Sequence, residues 1–142
     1  MPNILYTIGY GGRRPGEFLD LLAQNGIKAI VDVRLEPNRS SMGCYRLAKT
    51  SDKGIQRLLA SRDIAYYSFR QLGNEFRHND DWPERYRAKL AELGDKVIDP
   101  LLSPDIPQPF CLMCCEKKAA ICHRRLIAAY LEGVGYEVKH IE

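Results

Sequence analysis

The chain has 142 residues, of which 45% are hydrophobic and 27% are charged, and its formal net charge is +3. This length and composition are those of one globular domain, and the chain is too short for two domains of ordinary size. The mildly basic balance is too weak by itself to indicate nucleic-acid binding, and no apolar run approaches the ~20 residues of a membrane-spanning helix. Because the five cysteines lack disulfide-scaffold spacing and no signal peptide is recognisable, we expect a single domain, residues 1–142, in the cytoplasm.

The first predicted strand, Asn3–Ile8, leads into the glycine-rich loop Gly9-Tyr10-Gly11-Gly12. This loop is not the Gly-x-Gly-x-x-Gly pattern of dinucleotide-binding folds, so it predicts no Rossmann cofactor. Glycine at this point still lets a ligand or another loop approach the backbone closely. We therefore count Gly9 and Tyr10 among the candidate ligand-binding residues.

A helix and a buried strand are predicted next. Pro15 suits a first helical turn, and Gly26 suits the left-handed position that ends a helix. Lys28–Val33 is almost wholly apolar, which is typical of a strand buried on both faces. Near its end, the side chains of Asp32 and Arg34 point to the same side by strand alternation. This pair indicates either a functional site, with Asp32 as an acid–base group, or an ion pair that only braces the following loop.

The middle of the chain alternates loops with short elements. Leu35–Lys49 is a long loop without clear periodicity, which is typical of functional or mobile segments. Ser51 or Asp52 could cap a helix whose apolar face includes Ile55 and Leu59. The elements predicted after it are a strand over Ile64–Phe69, a polar loop over Arg70–Asp81, a helix over Trp82–Leu93 and a linker over Ser103–Pro109.

Residues 110–132 concentrate the reactive side chains of the chain. Phe110–Cys115 is strand-like, Cys122-His123-Arg124-Arg125 opens a helix, and Tyr136–Ile141 forms a last strand. Strands that alternate with helices predict a single α/β domain with a mostly parallel sheet and helices on both faces. Since sites in such folds form at the carboxyl ends of the strands, one edge of the sheet should gather Gly9, Asp32, Arg34, Cys114, Glu116, Cys122 and His123.

The cysteines of this segment first suggest a zinc site. Cys111 and Cys114 differ in position by three, an odd number, so they should face opposite sides of a strand, which argues against a zinc knuckle. The chain has no second Cys-x-x-Cys pair. A mixed metal site remains open as an alternative, made by Cys114, Glu116, Cys122 and His123.

A cysteine nucleophile is the second interpretation. Cys122 should lie near a helix N-terminus and beside cationic groups, and both favour the thiolate. Cys114 could be its partner or the nucleophile itself, with Glu116 as acid or base. Cys111 and Cys115 are interpreted as packing residues of the strand.

The chain resembles the domain of unknown function 488 family over nearly its whole length. The most specific resemblance is the pairing of Cys114-x-Glu116 with Cys122-His123-Arg124. The other matching pieces are Thr7-Ile8-Gly9-Tyr10, Asp32-Val33-Arg34 with Pro37, Tyr67, Leu72-Gly73, Val138 and His140-Ile141. The resemblance implies a three-layer α/β/α sandwich of Rossmann-like type with a polar site shared by these motifs. It implies no reaction, and Asn74 departs from the Leu-Gly-Gly that the family commonly has.

These observations predict an enzyme, a hydrolase or transferase, that acts on a phosphorylated or nucleotide-like ligand. Its predicted ligand-binding residues are Gly9, Tyr10, Arg34 and Arg124, of which the arginines would hold anionic oxygens. Its predicted catalytic residues are Cys114, Glu116, Cys122, His123 and Asp32. No metal ligand and no cofactor is assigned, and the sequence does not predict an oligomeric state. Two alternatives stay open: a non-catalytic protein that binds nucleic acid or nucleotides, and a metal-dependent hydrolase.

Overall fold

The computed structural model describes residues 3–142. These residues form five strands, which are β1 Asn3–Gly9, β2 Ala29–Asp32, β3 Ala65–Ser68, β4 Phe110–Cys114 and β5 Tyr136–Ile141. They also form five α-helices, which are α1 Pro15–Gln24, α2 Gly54–Ala60, α3 Trp82–Leu93, α4 Asp95–Leu101 and α5 Arg124–Gly133. Short 3₁₀ turns lie at Gly43–Tyr45, Arg70–Leu72 and Ala119–Ile121.

The strands form one sheet in the order β3-β2-β4-β1-β5, and every pair of neighbours is parallel. The predicted α/β fold with a parallel sheet is therefore confirmed. Because all strands run the same way, their carboxyl ends meet at one edge, where Gly9 pairs with Cys114 and Asp32 pairs with Met113. Of the residues predicted to converge there, Gly9, Asp32 and Cys114 lie at the carboxyl ends of neighbouring strands.

Each face of the sheet is covered by helices and has its own apolar core. One core packs Leu112 and Val31 of the sheet against α3, α4 and α5. The other packs Ile30 and Met113 against α1 and α2. Burial on both faces explains why β2 and β4 are almost continuous apolar runs. The layers are thus helices, sheet and helices, as the resemblance implied.

One prediction about helices was wrong, and one helix was not predicted. Neither Ser51 nor Asp52 caps α2, because the helix begins at Gly54 after Lys53 and no side chain caps it. The helix α4 was not predicted, since it is only seven residues long and contains Pro100, and proline disfavours the interior of a helix. Pro100 lies near the end of this short helix. Val97 and Leu101, one helical turn apart, are buried in the core on this face of the sheet.

Among residues 3–142, we find no helix with the length and apolar character needed to cross a membrane.

Candidate functional site

A cavity of about 430 Å³ opens at the carboxyl ends of β1, β2 and β4. Two sets of its lining residues have side chains that could react with or bind a ligand. The reactive group consists of Cys114, Glu116 and His123. The arginine group consists of Arg34, Arg39 and Arg77. We call this space the strand-end cavity; the other residues that line it are Tyr10, Leu35, Glu36, Ser40, Ser41, Asn74, Trp82, Cys115 and Ile121.

The end of β4 supplies the first members of the reactive group. Cys114 is buried, and its sulfur lies 3.4 Å from the Glu116 carboxylate. Cys111 and Cys114 pack in the cores on opposite faces of the sheet, which confirms the argument against a zinc knuckle. The Cys114 sulfur and the Glu116 carboxylate therefore lie together at the carboxyl end of β4.

The turn before α5 brings Cys122 and His123 to the same place. The Ala119–Ile121 turn precedes them, and the Cys122 sulfur is paired with that of Cys114 as a disulfide. His123 Nε2 lies 2.8 Å from the Val33 carbonyl oxygen, which can only accept, so this nitrogen carries the proton. Burial lowers the pKa of His123, and its Nδ1 faces the Cys122 sulfur at 3.8 Å. The ring is thus a neutral imidazole with its lone pair toward the sulfurs.

Arg124 lies beneath the reactive group rather than in the cavity. It is completely buried, and its guanidinium donates to the Thr7 hydroxyl and to the carbonyls of Glu116 and Lys117. It also donates from Nη1 to the Cys114 sulfur at 3.1 Å. No carboxylate of the described residues pairs with it at ion-pair distance. In the reduced chain, the cationic guanidinium beside the Cys114 sulfur favours the thiolate.

Burial lowers the pKa of Arg124, as expected for a charge removed from water. Because its donors reach protein acceptors, the position of Arg124 suits the organisation of the site better than contact with a ligand. The prediction that it binds ligand stays a prediction.

Asp32 and Arg34 form a buried ion pair behind the cavity. The Asp32 carboxylate accepts from Arg34 Nε and Nη2, the latter at 2.6 Å, and from the Tyr66 hydroxyl. Burial opposes the charge of Arg34, but the carboxylate outweighs it and raises the arginine pKa. Arg34 Nη1 also donates to the Tyr45 carbonyl at 2.7 Å. The pair thus braces the long loop after β2, while Arg34 still lines the cavity over the Tyr10 ring.

The glycine at the end of β1 accommodates another loop. A Cβ on Gly9 would lie 1.6 Å from the Glu116 carbonyl oxygen. Two backbone hydrogen bonds join the same segments, from the Tyr10 amide to the Cys114 carbonyl and from Gly11 to Cys115. Of the two loop residues predicted to bind ligand, Tyr10 lines the cavity, and Gly9 holds the loop that carries Glu116.

Sequence reasoning missed much of the cavity lining. Arg77 and Asn74 come from the polar loop after β3, and Trp82 begins α3. Arg39 comes from the long loop after β2, which is anchored by the completely buried Tyr45. Irregular loops carry no periodicity from which their return to the sheet edge could be predicted. Arg39 is the exception, because the sequence places it with Arg13, Arg14, Arg34 and Arg46 in or near loops that follow strands, and such a set could receive phosphate.

The interpretation of Cys115 as a packing residue was wrong. Its side chain is exposed and lines the cavity, because β4 ends at Cys114 and the chain turns there. Cys111, in contrast, is completely buried, and burial raises the pKa of its thiol.

We expect this difference to appear in alkylation of the native protein. Iodoacetamide should modify Cys115 on the order of 100-fold faster than Cys111, because Cys115 is exposed whereas Cys111 is buried and burial raises the pKa of its thiol. Peptide mass spectrometry after quenching at timed intervals measures both rates. Equal rates for the two thiols would contradict the assignment of Cys111 to the closed core.

A comparison with family models finds a match, described as Domain of unknown function DUF488, over residues 14–131. The comparisons with curated proteins and with solved structures found no match.

Proposed function

The chain belongs to the DUF488 family, and we propose that it is an enzyme that acts on a phosphorylated or nucleotide-like ligand in the strand-end cavity. The observation that carries this proposal is the lining of one cavity by both the reactive group and the arginine group. A concave site with convergent polar groups at the carboxyl edge of a parallel sheet is typical of small-ligand enzymes. The family description assigns no activity, so the proposal depends on the site.

The arginine group is suited to an anion. Arg39 and Arg77 approach the same Glu36 oxygen, at 3.6 and 3.5 Å, so two guanidinium groups share one carboxylate. Both arginines are well exposed and have further donors. The excess positive charge and the planar donor pattern are those that bind phosphate oxygens.

The reactive group is suited to proton transfer and to chemistry at an electron-rich sulfur. Glu116 is half-buried at the cavity, where a carboxylate can take up or deliver a proton. In the reduced chain, Arg124 favours negative charge on the Cys114 sulfur beside it. We therefore infer a hydrolase or transferase, with Glu116 as the acid–base group.

Binding and turnover variants test this function separately. Arg77→Ala should weaken binding of a nucleoside monophosphate or a sugar phosphate by about 10- to 100-fold, because it removes a charge-assisted hydrogen bond. Glu116→Gln should lower turnover by about 10²–10⁴-fold with little change in binding, because it removes the acid–base group. Calorimetry measures binding, and phosphorus and proton NMR of the incubated compounds measure turnover.

The control is Arg62→Ala, which removes an exposed arginine that does not line the cavity. It should leave both quantities unchanged. If none of the phosphorylated probes binds, or if Glu116→Gln turns over at the full rate, the proposed function is wrong. If instead a single-stranded oligonucleotide binds with steep salt dependence and no turnover occurs, the protein is a nucleic-acid binder.

A further inference from the structure

Three buried side chains form a cluster whose arrangement the proposed function leaves unexplained. The ligand-type atoms of Cys114, Cys122 and His123 all lie within 4.8 Å of one another. The two cysteines are about 1% exposed and the histidine is 8% exposed. Acid–base chemistry by Glu116 does not require Cys114, Cys122 and His123 to lie this close together.

The histidine is oriented as metal-binding histidines are. Its Nε2–H is held by the Val33 carbonyl at 2.8 Å, which leaves Nδ1 with a free lone pair. That lone pair faces the Cys122 sulfur at 3.8 Å. A second ring nitrogen anchored by a backbone carbonyl is the usual support of a metal-ligating histidine.

The 3.8 Å between the Cys122 sulfur and His123 Nδ1 suits one tetrahedral ion, and reduction of the Cys114–Cys122 disulfide frees both sulfurs as ligands. Bonds of about 2.3 Å to sulfur and about 2.0 Å to nitrogen put the ligand atoms of zinc about 3.5–3.8 Å apart. The Cα atoms of Cys114 and Cys122 are 7.5 Å apart, which is wider than the roughly 4.4–6.8 Å that disulfides usually span. The backbone therefore holds the two residues at a separation suited to two ligands of one ion.

Both sulfurs also receive N–H donors from the same residue. The Arg124 guanidinium lies 3.1 Å from the Cys114 sulfur, and the Arg124 backbone N–H lies 3.5 Å from that of Cys122. Such donors stabilise the thiolate form that a metal requires.

We propose that, in the reduced chain, Cys114, Cys122 and His123 Nδ1 bind a soft divalent cation of the zinc class. Cys114 and His123 line the strand-end cavity, so the fourth coordination position opens toward the ligand and Glu116. Three protein ligands with one open position are the arrangement of catalytic rather than structural zinc sites. This inference deepens the proposed function, because a catalytic role of the ion rests on that function. Binding of the ion, in contrast, can be tested without turnover.

The test is metal binding by the full, reduced chain. Protein kept in a phosphine reductant is loaded with Zn²⁺, freed of excess by gel filtration and analysed for metal. We expect one zinc per chain, and Co²⁺ should give the thiolate charge-transfer and visible bands of tetrahedral cobalt. Cys122→Ser and His123→Gln should each weaken binding at least about 100-fold.

The matched control is Cys115→Ser, which alters the neighbouring cysteine outside the cluster and should keep one zinc. Circular dichroism establishes that each variant is folded. Failure of the folded, reduced wild-type chain to retain metal would overturn the inference, as would equal loss of metal from Cys115→Ser. A Cys114–Cys122 disulfide that persists in excess reductant would also overturn it.

Turnover separates this inference from the proposed function. Zinc retention with no phosphorylated probe bound or turned over would support the metal site and contradict the proposed function. Full turnover by protein shown to be metal-free would support the proposed function and contradict the catalytic role of the ion. Glu116→Gln should retain zinc while it loses turnover.

Discussion

Replacement of Asp32 by alanine is expected to lower the free energy of unfolding by about 3–5 kcal/mol, because it leaves a buried guanidinium without its partner. Asp32 is completely buried and Arg34 is 6% exposed, so the guanidinium that loses its carboxylate has little access to water. The Tyr66 hydroxyl loses its acceptor at the same time. Urea denaturation of both proteins measures the difference.

A double-mutant cycle shows whether the loss comes from the pair. Arg34→Met alone should be similarly destabilising, since it leaves the carboxylate buried and unpaired. The loss in free energy of unfolding should be clearly smaller for the double variant than the sum of the losses for the two single variants. Asp20→Ala, which breaks an exposed pair with Arg62, should cost less than about 1 kcal/mol. Additive losses at Asp32 and Arg34 would contradict the coupling that their geometry implies.

The strands could be predicted because their burial leaves a simple signature. β4 and β2 are covered on both faces, so nearly every residue in them is apolar. Parallel strands then place their carboxyl ends together, which is why the location of Cys114, Asp32 and Gly9 at one edge follows from topology alone. Strand alternation also placed Cys111 away from Cys114 correctly.

The roles of charged residues could not be predicted in the same way. Arg124 directly follows Cys122 and His123 in the sequence, yet its side chain lies beneath the site at the start of α5. Arg77 lies in a loop with no periodic pattern, yet it lines the cavity. Whether a cation is buried or faces a ligand depends on tertiary contacts, and the helical or strand period does not contain that information.

The link between Gly9 and Glu116 is another contact that the sequence left open. Glycine at the end of β1 was compatible with a ligand or with another loop. The structure resolves this, because the Glu116 carbonyl occupies the space where a Cβ would be. The same carbonyl accepts from Arg124, so β1, the Glu116 loop and α5 meet at one backbone oxygen.

We therefore expect Gly9→Ala to destabilise the fold by about 3 kcal/mol through overpacking and to disrupt the site. The added Cβ would lie 1.6 Å from the Glu116 oxygen and 2.4 Å from its carbonyl carbon, so backbone must move rather than a flexible side chain. That movement pulls on the hydrogen bonds to Cys114 and Cys115 and displaces the acid–base group. Denaturant unfolding and nucleoside monophosphate binding measure the two effects.

Gly16→Ala is the matched control for this prediction. Gly16 lies in α1, and a Cβ there would meet no atom within 4 Å. Alanine has a higher helix propensity than glycine and makes the unfolded chain less flexible. The free energy of unfolding of this variant should therefore rise by about 0.5–1 kcal/mol. If Gly9→Ala were as stable as the wild type, the approach of the two loops would not hold Glu116. The support for this carboxylate would then have to come from Arg124, and Arg124→Leu should displace it while Gly9→Ala does not.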